Sequence, residues 1–196
     1  MKVDNARYSR AQGNELEWWK NNAYTPFRQW HEYDKVFLPY YPDIPVGQAV
    51  DVGSGPVPML CNHNVFYRHG IAIDPLIHEY AEILKYDLYL TRAFTRLDSI
   101  VDIKTESVDM AFCLNTLDHV QDPQLMVIEL GRILRRYGKL FFFVDIDKRP
   151  DSAHPHAITR DWLAQELLAE FYPILWLEKK SWKFDNQALY FVGEVR

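Results

Sequence analysis

Short apolar runs alternate with amphipathic segments along the chain from about residue 46 onward. Several runs are bounded by glycine, proline or aspartate and are rich in β-branched and aromatic residues, as is typical of strands. The pattern predicts strands near residues 48–52, 69–73, 94–97, 108–113, 139–145, 173–179 and 187–195. Because runs such as Leu140–Val144 are apolar at every position, we expect a mostly parallel sheet with helices on both faces.

Two helices are predicted near residues 123–135 and 160–170, with Asp122 and Thr159 as their N-caps. Gly138 follows the first of them and is predicted to adopt the left-handed conformation that ends a helix. Only residues 181–186 separate the last two strands, which is too short for a crossover helix. The last strand is therefore expected to be antiparallel to its neighbours.

The N-terminal part of the chain is predicted to be helical over about residues 14–40 and is unusually aromatic, with Trp18, Trp19, Tyr24 and Trp30. Prolines then interrupt the chain before the first strand. Two roles stay open for these aromatic side chains: a lid over a bound ligand, or packing onto the sheet. We expect one domain over residues 1–196, with a helical cap at 1–45 and a core at 46–196.

Composition narrows the classes of protein that fit. The chain has 196 residues, of which 48% are hydrophobic, and a net charge of −5, which is unlike the basic surface of a nucleic-acid-binding protein. No apolar run reaches the length of a membrane span, and the first residues do not resemble a secretory signal. Cys61 and Cys113 have no metal-ligand spacing. We therefore expect a cytoplasmic protein with a small-molecule partner.

A glycine turn follows the first predicted strand, in the segment Val50-Asp51-Val52-Gly53-Ser54-Gly55. Asp74 ends the next apolar run about 20 residues later, which is the spacing of an acid that binds ribose hydroxyls. A dinucleotide site would need a third glycine, but this chain continues with Pro56 and Val57. An acid before the turn would repel a diphosphate and suits an ammonium or sulfonium group. The turn thus favours S-adenosylmethionine over NAD.

Further segments occur in the order typical of one family. These are Val50–Gly55, Ile71–Asp74, Leu97–Ser99, Ser107–Phe112 with Leu117–Asp122, and Leu134–Leu140. On these residues the chain resembles the class I S-adenosylmethionine-dependent methyltransferases, of the small single-domain type, over about residues 46–195. The resemblance implies a Rossmann-like three-layer α/β sandwich. Its sheet would have seven strands, mostly parallel, with the last strand antiparallel.

The resemblance also implies a set of cofactor-binding residues: Asp51, Gly53, Ser54, Gly55, Asp74, Pro75, Asp98, Ser99 and Asn115. Asp74 would bind the ribose, although a helix cap is the alternative role. Asp51 would bind the methionine ammonium or brace the turn amides. Asp98 and Ser99 would contact adenine or reflect only the polarity of a strand end. Asn115 would lie near the methionine part of the cofactor or satisfy turn amides.

His119 and His154 are the candidate catalytic residues. Methyl transfer from a sulfonium is an in-line displacement that depends mainly on positioning, and a general base helps only an acceptor that must lose a proton. Histidine titrates near neutral pH, so His119 is the leading candidate base, with a structural role as the alternative. His154 and His156 would contact the acceptor or stabilise their loop. No metal is expected, because these two histidines lack a clear third ligand.

The expected reaction is methyl transfer to a small polar acceptor, with a hydroxyl of a sugar or glycan precursor as the first hypothesis. Methylation of nucleic-acid amino groups would need an Asn/Asp-Pro-Pro-aromatic segment, where this chain has Leu114–Leu117. An NAD-dependent oxidoreductase would need a Tyr-x-x-x-Lys pair after the fourth strand. A catalytically silent binding or scaffold protein with the same fold is the remaining alternative.

Overall fold

The computed structural model describes residues 2–22, 25–84, 94–182 and 185–196. The strands are β1 Val46–Val52, β2 Tyr67–Ile73, β3 Thr95–Leu97, β4 Val108–Leu114, β5 Leu134–Ile146, β6 Phe171–Lys180 and β7 Gln187–Val195. The helices are α1 Asn5–Asn22, α2 Thr25–Phe37, α3 Ile77–Leu84, α4 Pro123–Ile133 and α5 Arg160–Glu170. Every predicted strand is present, with ends that differ by up to five residues.

The strands form one seven-stranded sheet in the order β3-β2-β1-β4-β5-β7-β6. Strands β1 to β5 pair in parallel, whereas β7 runs antiparallel to both β5 and β6. The predicted architecture and the antiparallel last strand are therefore confirmed. The chain order reverses between β1 and β4, which places a crevice at the carboxyl ends of these two strands.

Strand β5 shows how the sheet is covered on both faces. Leu140, Phe142 and Val144 pack into a core cluster that also contains residues of α4 and α5. The alternate residues Phe141 and Phe143 pack into a second cluster with residues of α2 and α3. Because successive side chains of a strand point to opposite faces, a continuous apolar run of this kind serves two cores at once.

The predicted N-caps are confirmed. The side chain of Asp122 accepts a hydrogen bond from the Leu125 amide at 3.3 Å, and that of Thr159 accepts one from the Trp162 amide at 3.4 Å. These bonds satisfy amide groups that have no partner inside the helix, so α4 and α5 begin where the sequence predicts.

The predicted end of α4 is wrong. The helix ends at Ile133 and the chain enters β5 directly at Leu134, so the left-handed residue is Tyr137, with φ 63°, and not Gly138. Gly138 is needed for a different reason. A Cβ at this position would lie 2.8 Å from the Arg135 carbonyl oxygen and 3.0 Å from that of Val108.

The N-terminal segment is helical as predicted, but its bounds differ. It begins at Asn5 and contains α1 and α2 rather than one helix over residues 14–40. Tyr24 lies outside the described residues. Among the residues that the structure describes, no helix is long and apolar enough to cross a membrane.

Candidate functional site

A cavity of about 330 Å³ opens at the carboxyl ends of β1, β2 and β4. The sequence-predicted residues that line it are Asp51, Gly53, Ser54, Gly55, Asp74, Pro75, Asp98, Ser99, Asn115 and His119. Side chains from α1 and α2 close the cavity from above the sheet; they include Tyr8, Gln12, Glu15, Trp19, Trp30 and Tyr33. The cavity lies at the position where open α/β sheets bind ligands.

The turn after β1 brings its backbone close to this cavity. Gly53 and Gly55 both adopt left-handed conformations, with φ of 67° and 57°. The amides of Gly53 and Ser54 donate hydrogen bonds to the Ile73 carbonyl at 2.8 and 3.1 Å. A Cβ on Gly53 would overlap the side chain of Thr116. Both the backbone conformation and the close packing therefore require glycine at position 53.

Asp74 joins the β1 turn to the start of α3. Its Oδ2 accepts a hydrogen bond from the Gly55 amide at 3.0 Å, and its Oδ1 accepts one from the Leu76 amide at 2.9 Å. Burial raises the pKa of Asp74 to about 6, although the two amide donors act in the opposite direction. The residue thus acts as a cap toward Leu76 and also lines the cavity.

Asp51 is the second buried carboxylate of the cavity, with 3% of its surface exposed. Its Oδ2 accepts a hydrogen bond from the Met59 amide at 2.5 Å. Burial raises its pKa to about 7, and the negative charge of Asp74 adds to this effect. Two neighbouring buried acids with raised pKa values make the cavity favourable for a cation.

Asp98, Ser99 and Asn115 lie on the cavity wall in different environments. The Asp98 side chain is 66% exposed and lies 3.1 Å from His78 Nε2. Ser99 accepts a hydrogen bond from the Val101 amide at 3.4 Å and caps a short 3₁₀ turn. Asn115 has a left-handed φ of 57°, and its backbone N–H donates a hydrogen bond to the Phe143 carbonyl at 2.8 Å.

His119 lies on the wall of the cavity, in the loop that follows β4, and faces Glu15 of α1. Its Nδ1 lies 3.6 Å from Glu15 Oε2, and its Nε2 lies 3.8 Å from Asp118 Oδ1. Asp118 is 3% exposed. Neither Asp118 Oδ1 nor His119 Nδ1 has a hydrogen-bond partner among the described residues. A buried carboxylate oxygen without such a partner is costly, which makes this cluster a candidate site for a ligand.

His154 approaches His119 from the loop after β5. The centres of the two imidazole rings are 4.3 Å apart, and His154 Nδ1 lies 2.8 Å from Asp151 Oδ1. Burial lowers the pKa of His154, and a charge on His119 would lower it further. The other histidine of this loop, His156, lies 2.8 Å through its Nε2 from the Val120 carbonyl. His156 thus holds its loop against the loop that follows β4, and it does not line the cavity.

Helix α1 supplies site residues that the sequence did not reveal. Glu15 connects two parts of the site, because its Oε1 accepts a hydrogen bond from Trp19 Nε1 at 2.6 Å while its Oε2 faces His119. Trp19 and Trp30 line the cavity, whereas Trp18 is 46% exposed and does not. Neither spacing nor composition distinguishes Glu15 from the other acids of the helix, since its partner is about 100 residues away.

The fold is that of an α/β protein with a cavity at the switch point of its sheet. Residues 50–142 match the protein family described as a methyltransferase domain. The ubiquinone biosynthesis O-methyltransferase of Hahella chejuensis is 25% identical over 144 residues, which cover 69% of this chain and 58% of that protein. The chain thus spans less than two thirds of the length of this relative.

Solved structures share the fold at lower identity. The N-methyltransferase NodS from Bradyrhizobium japonicum, in complex with S-adenosylhomocysteine, superposes with a TM-score of 0.70 at 14% identity, covering 98% of this chain and 99% of that one. Phosphoethanolamine N-methyltransferase 2 of Haemonchus contortus, in complex with S-adenosyl-L-methionine, gives 0.68 at 10% identity, covering 85% and 52%. The chain is thus similar over residues 50–142 to the methyltransferase domain family, and it shares its fold with solved methyltransferases.

Proposed function

We propose that this chain transfers the methyl group of S-adenosylmethionine to a small polar acceptor, with a hydroxyl oxygen as the methylated atom. The observation that carries the proposal is the cavity of about 330 Å³, which collects Asp51, the glycine turn and Asp74 at the switch point of the sheet. The O-methyltransferase name of the curated relative supports the choice of oxygen.

The cofactor side of the cavity, defined as Asp51, Gly53, Gly55 and Asp74, is proposed to bind the nucleoside and the methionine ammonium. Each oxygen of Asp74 accepts one backbone hydrogen bond, and a carboxylate oxygen has a second lone pair for a ribose hydroxyl. Asp51 would face the positive part of the cofactor, which offsets the cost of burying its charge.

Contacts to the rest of the cofactor are proposed for the other predicted residues on the cavity wall. Asp98 and Ser99 would meet the adenine at the exposed rim, with Pro75 closing the ribose side. Ser54 and Asn115 would lie along the methionine part. Asp98 sits in a water-accessible ion pair with His78, so its contribution to cofactor affinity is expected to be much smaller than that of Asp74.

The acceptor side of the cavity is defined as Glu15 and His119 on its wall, together with Asp118 and His154, which lie beside His119 and do not line the cavity. This side is proposed to hold the atom that receives the methyl group. The Asp151 carboxylate at 2.8 Å from His154 Nδ1 favours the His154 tautomer whose lone pair is on Nε2, and Glu15 faces His119 Nδ1 from 3.6 Å. His119 would then accept the proton of an acceptor hydroxyl, or it would bind a group that lowers the pKa of that hydroxyl. Most of the rate enhancement would come from aligning acceptor, methyl group and sulfur.

The helical cap over residues 1–45 is proposed to act as a lid on the methyltransferase core at 46–196. Helix α1 contributes Tyr8, Glu15 and Trp19 to the cavity wall. It is tied to the loops around the site by hydrogen bonds from Arg7 to the Pro155 carbonyl at 2.8 Å and from Asn14 to the Ser152 carbonyl at 3.1 Å. A lid in this position would exclude water from the transfer step.

Calorimetric titration tests the cofactor assignment. We expect S-adenosylmethionine to bind with one site per chain and NAD not to bind. An assay with radiolabelled S-adenosylmethionine and a panel of phenols, sugars and amines then tests methyl transfer. Labelling of hydroxyl acceptors supports the proposal, labelling confined to amines overturns the choice of oxygen, and binding with no transfer to any acceptor favours a silent scaffold. If S-adenosylmethionine does not bind, the proposed function is wrong.

A further inference from the structure

We propose that Asp118, His119 and His154 form a binding site for a divalent transition-metal ion at the edge of the cofactor cavity. Each of the three side chains offers one ligand atom, and these atoms lie within 4.8 Å of one another. Asp118 and His119 come from the loop after β4, and His154 comes from the loop after β5. The carboxyl ends of these two adjacent parallel strands bring the loops together.

The distances are close to those of a bound metal. An ion with bonds of about 2.0–2.2 Å keeps its ligand atoms about 3–3.5 Å apart. Asp118 Oδ1 and His119 Nε2 are already 3.8 Å apart. Side-chain adjustments of about 1 Å would therefore bring the three ligand atoms onto one ion.

A carboxylate lies beside Nδ1 of each histidine, and one of the two is within hydrogen-bond distance. Metal-bound histidines commonly donate their other ring N–H to a carboxylate, which fixes the tautomer and the ring plane. Asp151 Oδ1 lies 2.8 Å from His154 Nδ1, and Glu15 Oε2 lies 3.6 Å from His119 Nδ1. Asp151 is therefore a positioning residue that favours Nε2 of His154 as the ligand atom, whereas Glu15 faces His119 Nδ1 from beyond hydrogen-bond distance.

Burial of Asp118 is the independent observation that points to a cation. Its side chain is 4% exposed, and its Oδ1 has no hydrogen-bond partner in the described part of the chain. A buried carboxylate oxygen of this kind is normally neutralised by hydrogen bonds, an ion pair or a metal. A divalent ion would satisfy it directly.

The ligand set indicates the class of metal. Two imidazoles and one carboxylate suit Zn²⁺, Fe²⁺, Mn²⁺ or Co²⁺ and disfavour Ca²⁺ and Mg²⁺, which prefer oxygen ligands. Three protein ligands also leave coordination positions for a further group, and His119 lines the cavity where the acceptor is proposed to bind. Metal binding stands by itself, whereas a role at the acceptor oxygen rests on the proposed function.

The sequence alone predicts no metal, because His154 and His156 are the candidate ligands taken together and they lack a third. In the fold, His156 contacts the Val120 carbonyl and His154 contacts His119 instead. The third ligand, Asp118, is far from His154 in the sequence, so no local spacing reveals the set.

Titration of the chelator-treated full chain with Co²⁺ tests the site, read by calorimetry and by the visible absorption of bound Co²⁺. We expect one ion per chain, with affinity reduced at least 100-fold in the double variant H119Q/H154Q. Asp151→Asn is expected to weaken binding about 10- to 100-fold, as for other residues that orient a ligand. His63→Gln, an exposed histidine outside the cluster, is the matched control and should bind Co²⁺ like the wild type.

Equal Co²⁺ affinity in the wild type and H119Q/H154Q would overturn the proposal, as would a loss of equal size in His63→Gln. Circular dichroism shows whether each variant is folded. Asp118→Asn, which keeps the size of the side chain, provides a second test if H119Q/H154Q does not fold. S-adenosylmethionine affinity measured on the same samples separates the two claims, because retained cofactor binding without Co²⁺ binding removes the metal and leaves the proposed function intact.

Discussion

The cofactor side and the acceptor side of the cavity are built from different kinds of contact. On the cofactor side, Asp51 and Asp74 accept hydrogen bonds from backbone amides of nearby turns. On the acceptor side, side chains face other side chains, as in the approach of His119 to Glu15 and His154. Backbone partners depend only on the turn being formed, whereas side-chain partners depend on how distant segments pack. We therefore expect substitutions on the cofactor side to be tolerated less than substitutions on the acceptor side. We also expect the residue types on the cofactor side to vary less.

Substituting the two glycines of the β1 turn gives the largest expected effect on the cofactor side. Gly53→Ala combines left-handed strain of about 1–2 kcal/mol with a clash against Thr116, so we expect a loss of about 3 kcal/mol in the free energy of unfolding. Gly55→Ala carries the strain alone, because the nearest atom to its Cβ would be 3.8 Å away. Urea unfolding of both variants measures the difference. Equal losses would show that the close packing at Gly53 does not matter.

Asp74→Asn is expected to weaken S-adenosylmethionine binding about 100-fold, or about 2.7 kcal/mol, because hydrogen bonds to a charged acceptor are lost. Asp43→Asn, at an exposed loop position, is the control and should leave the affinity unchanged. Calorimetry on both variants measures the effect. Unchanged affinity in a folded Asp74→Asn protein would contradict the ribose assignment.

The pH dependence of binding tests Asp51. With a pKa of about 7 in the free protein, Asp51 must lose a proton before it can neutralise a bound cation below that pH. S-adenosylmethionine affinity should thus fall by up to about tenfold per unit as the pH drops below 7, and stay level above it. Asp51→Asn should remove the slope between pH 7 and 6; below pH 6 the protonation of Asp74, whose pKa is about 6, also lowers the affinity. A slope between pH 6 and 7 that survives in Asp51→Asn would have to come from another group.

The raised pKa of Asp51 predicts the opposite pH dependence for the stability of the cofactor-free protein, which should fall as the pH rises. The carboxyl ionises near pH 3.8 when unfolded and near pH 7 when folded. Between these values the folded state holds a proton that the unfolded state has lost. The contribution of Asp51 to stability is therefore largest below pH 4 and falls by up to about 1.4 kcal/mol per unit as the pH rises to 7. Urea unfolding of wild type and Asp51→Asn across this range measures it.

The contact between α1 and the acceptor side gives the smallest expected effect. Arg7→Ala removes the hydrogen bond to the Pro155 carbonyl and should cost about 1 kcal/mol of stability. Arg10→Ala, an exposed arginine of the same helix, is the matched control. Hydrogen exchange should show faster opening of α1 in Arg7→Ala only. Faster exchange in both variants would mean that helix propensity, and not this tether, holds α1 in place.

The positions of the β1 turn, of Asp74 after β2 and of the starts of α4 and α5 could be predicted because their signals are local. The glycine turn, the acid after β2 and the caps at Asp122 and Thr159 each involve residues close together in the chain. The sequence-based predictions failed where the role of a residue depends on packing against distant parts of the chain. The sequence predicts Gly138 as a helix stop, but the approach of the Arg135 carbonyl, and of the Val108 carbonyl from the neighbouring strand, is what requires glycine there. Glu15 and Asp118 carried no distinguishing pattern, since their partners become neighbours only in the folded chain.

A crystal structure with bound S-adenosylhomocysteine tests the central claim most directly. We expect both ribose hydroxyls within hydrogen-bond distance of the Asp74 carboxylate, the amino group facing Asp51, and the sulfur directed toward His119. A nucleoside bound elsewhere on the chain, or in this cavity with its ribose away from Asp74, would show that the proposed cofactor site is wrong.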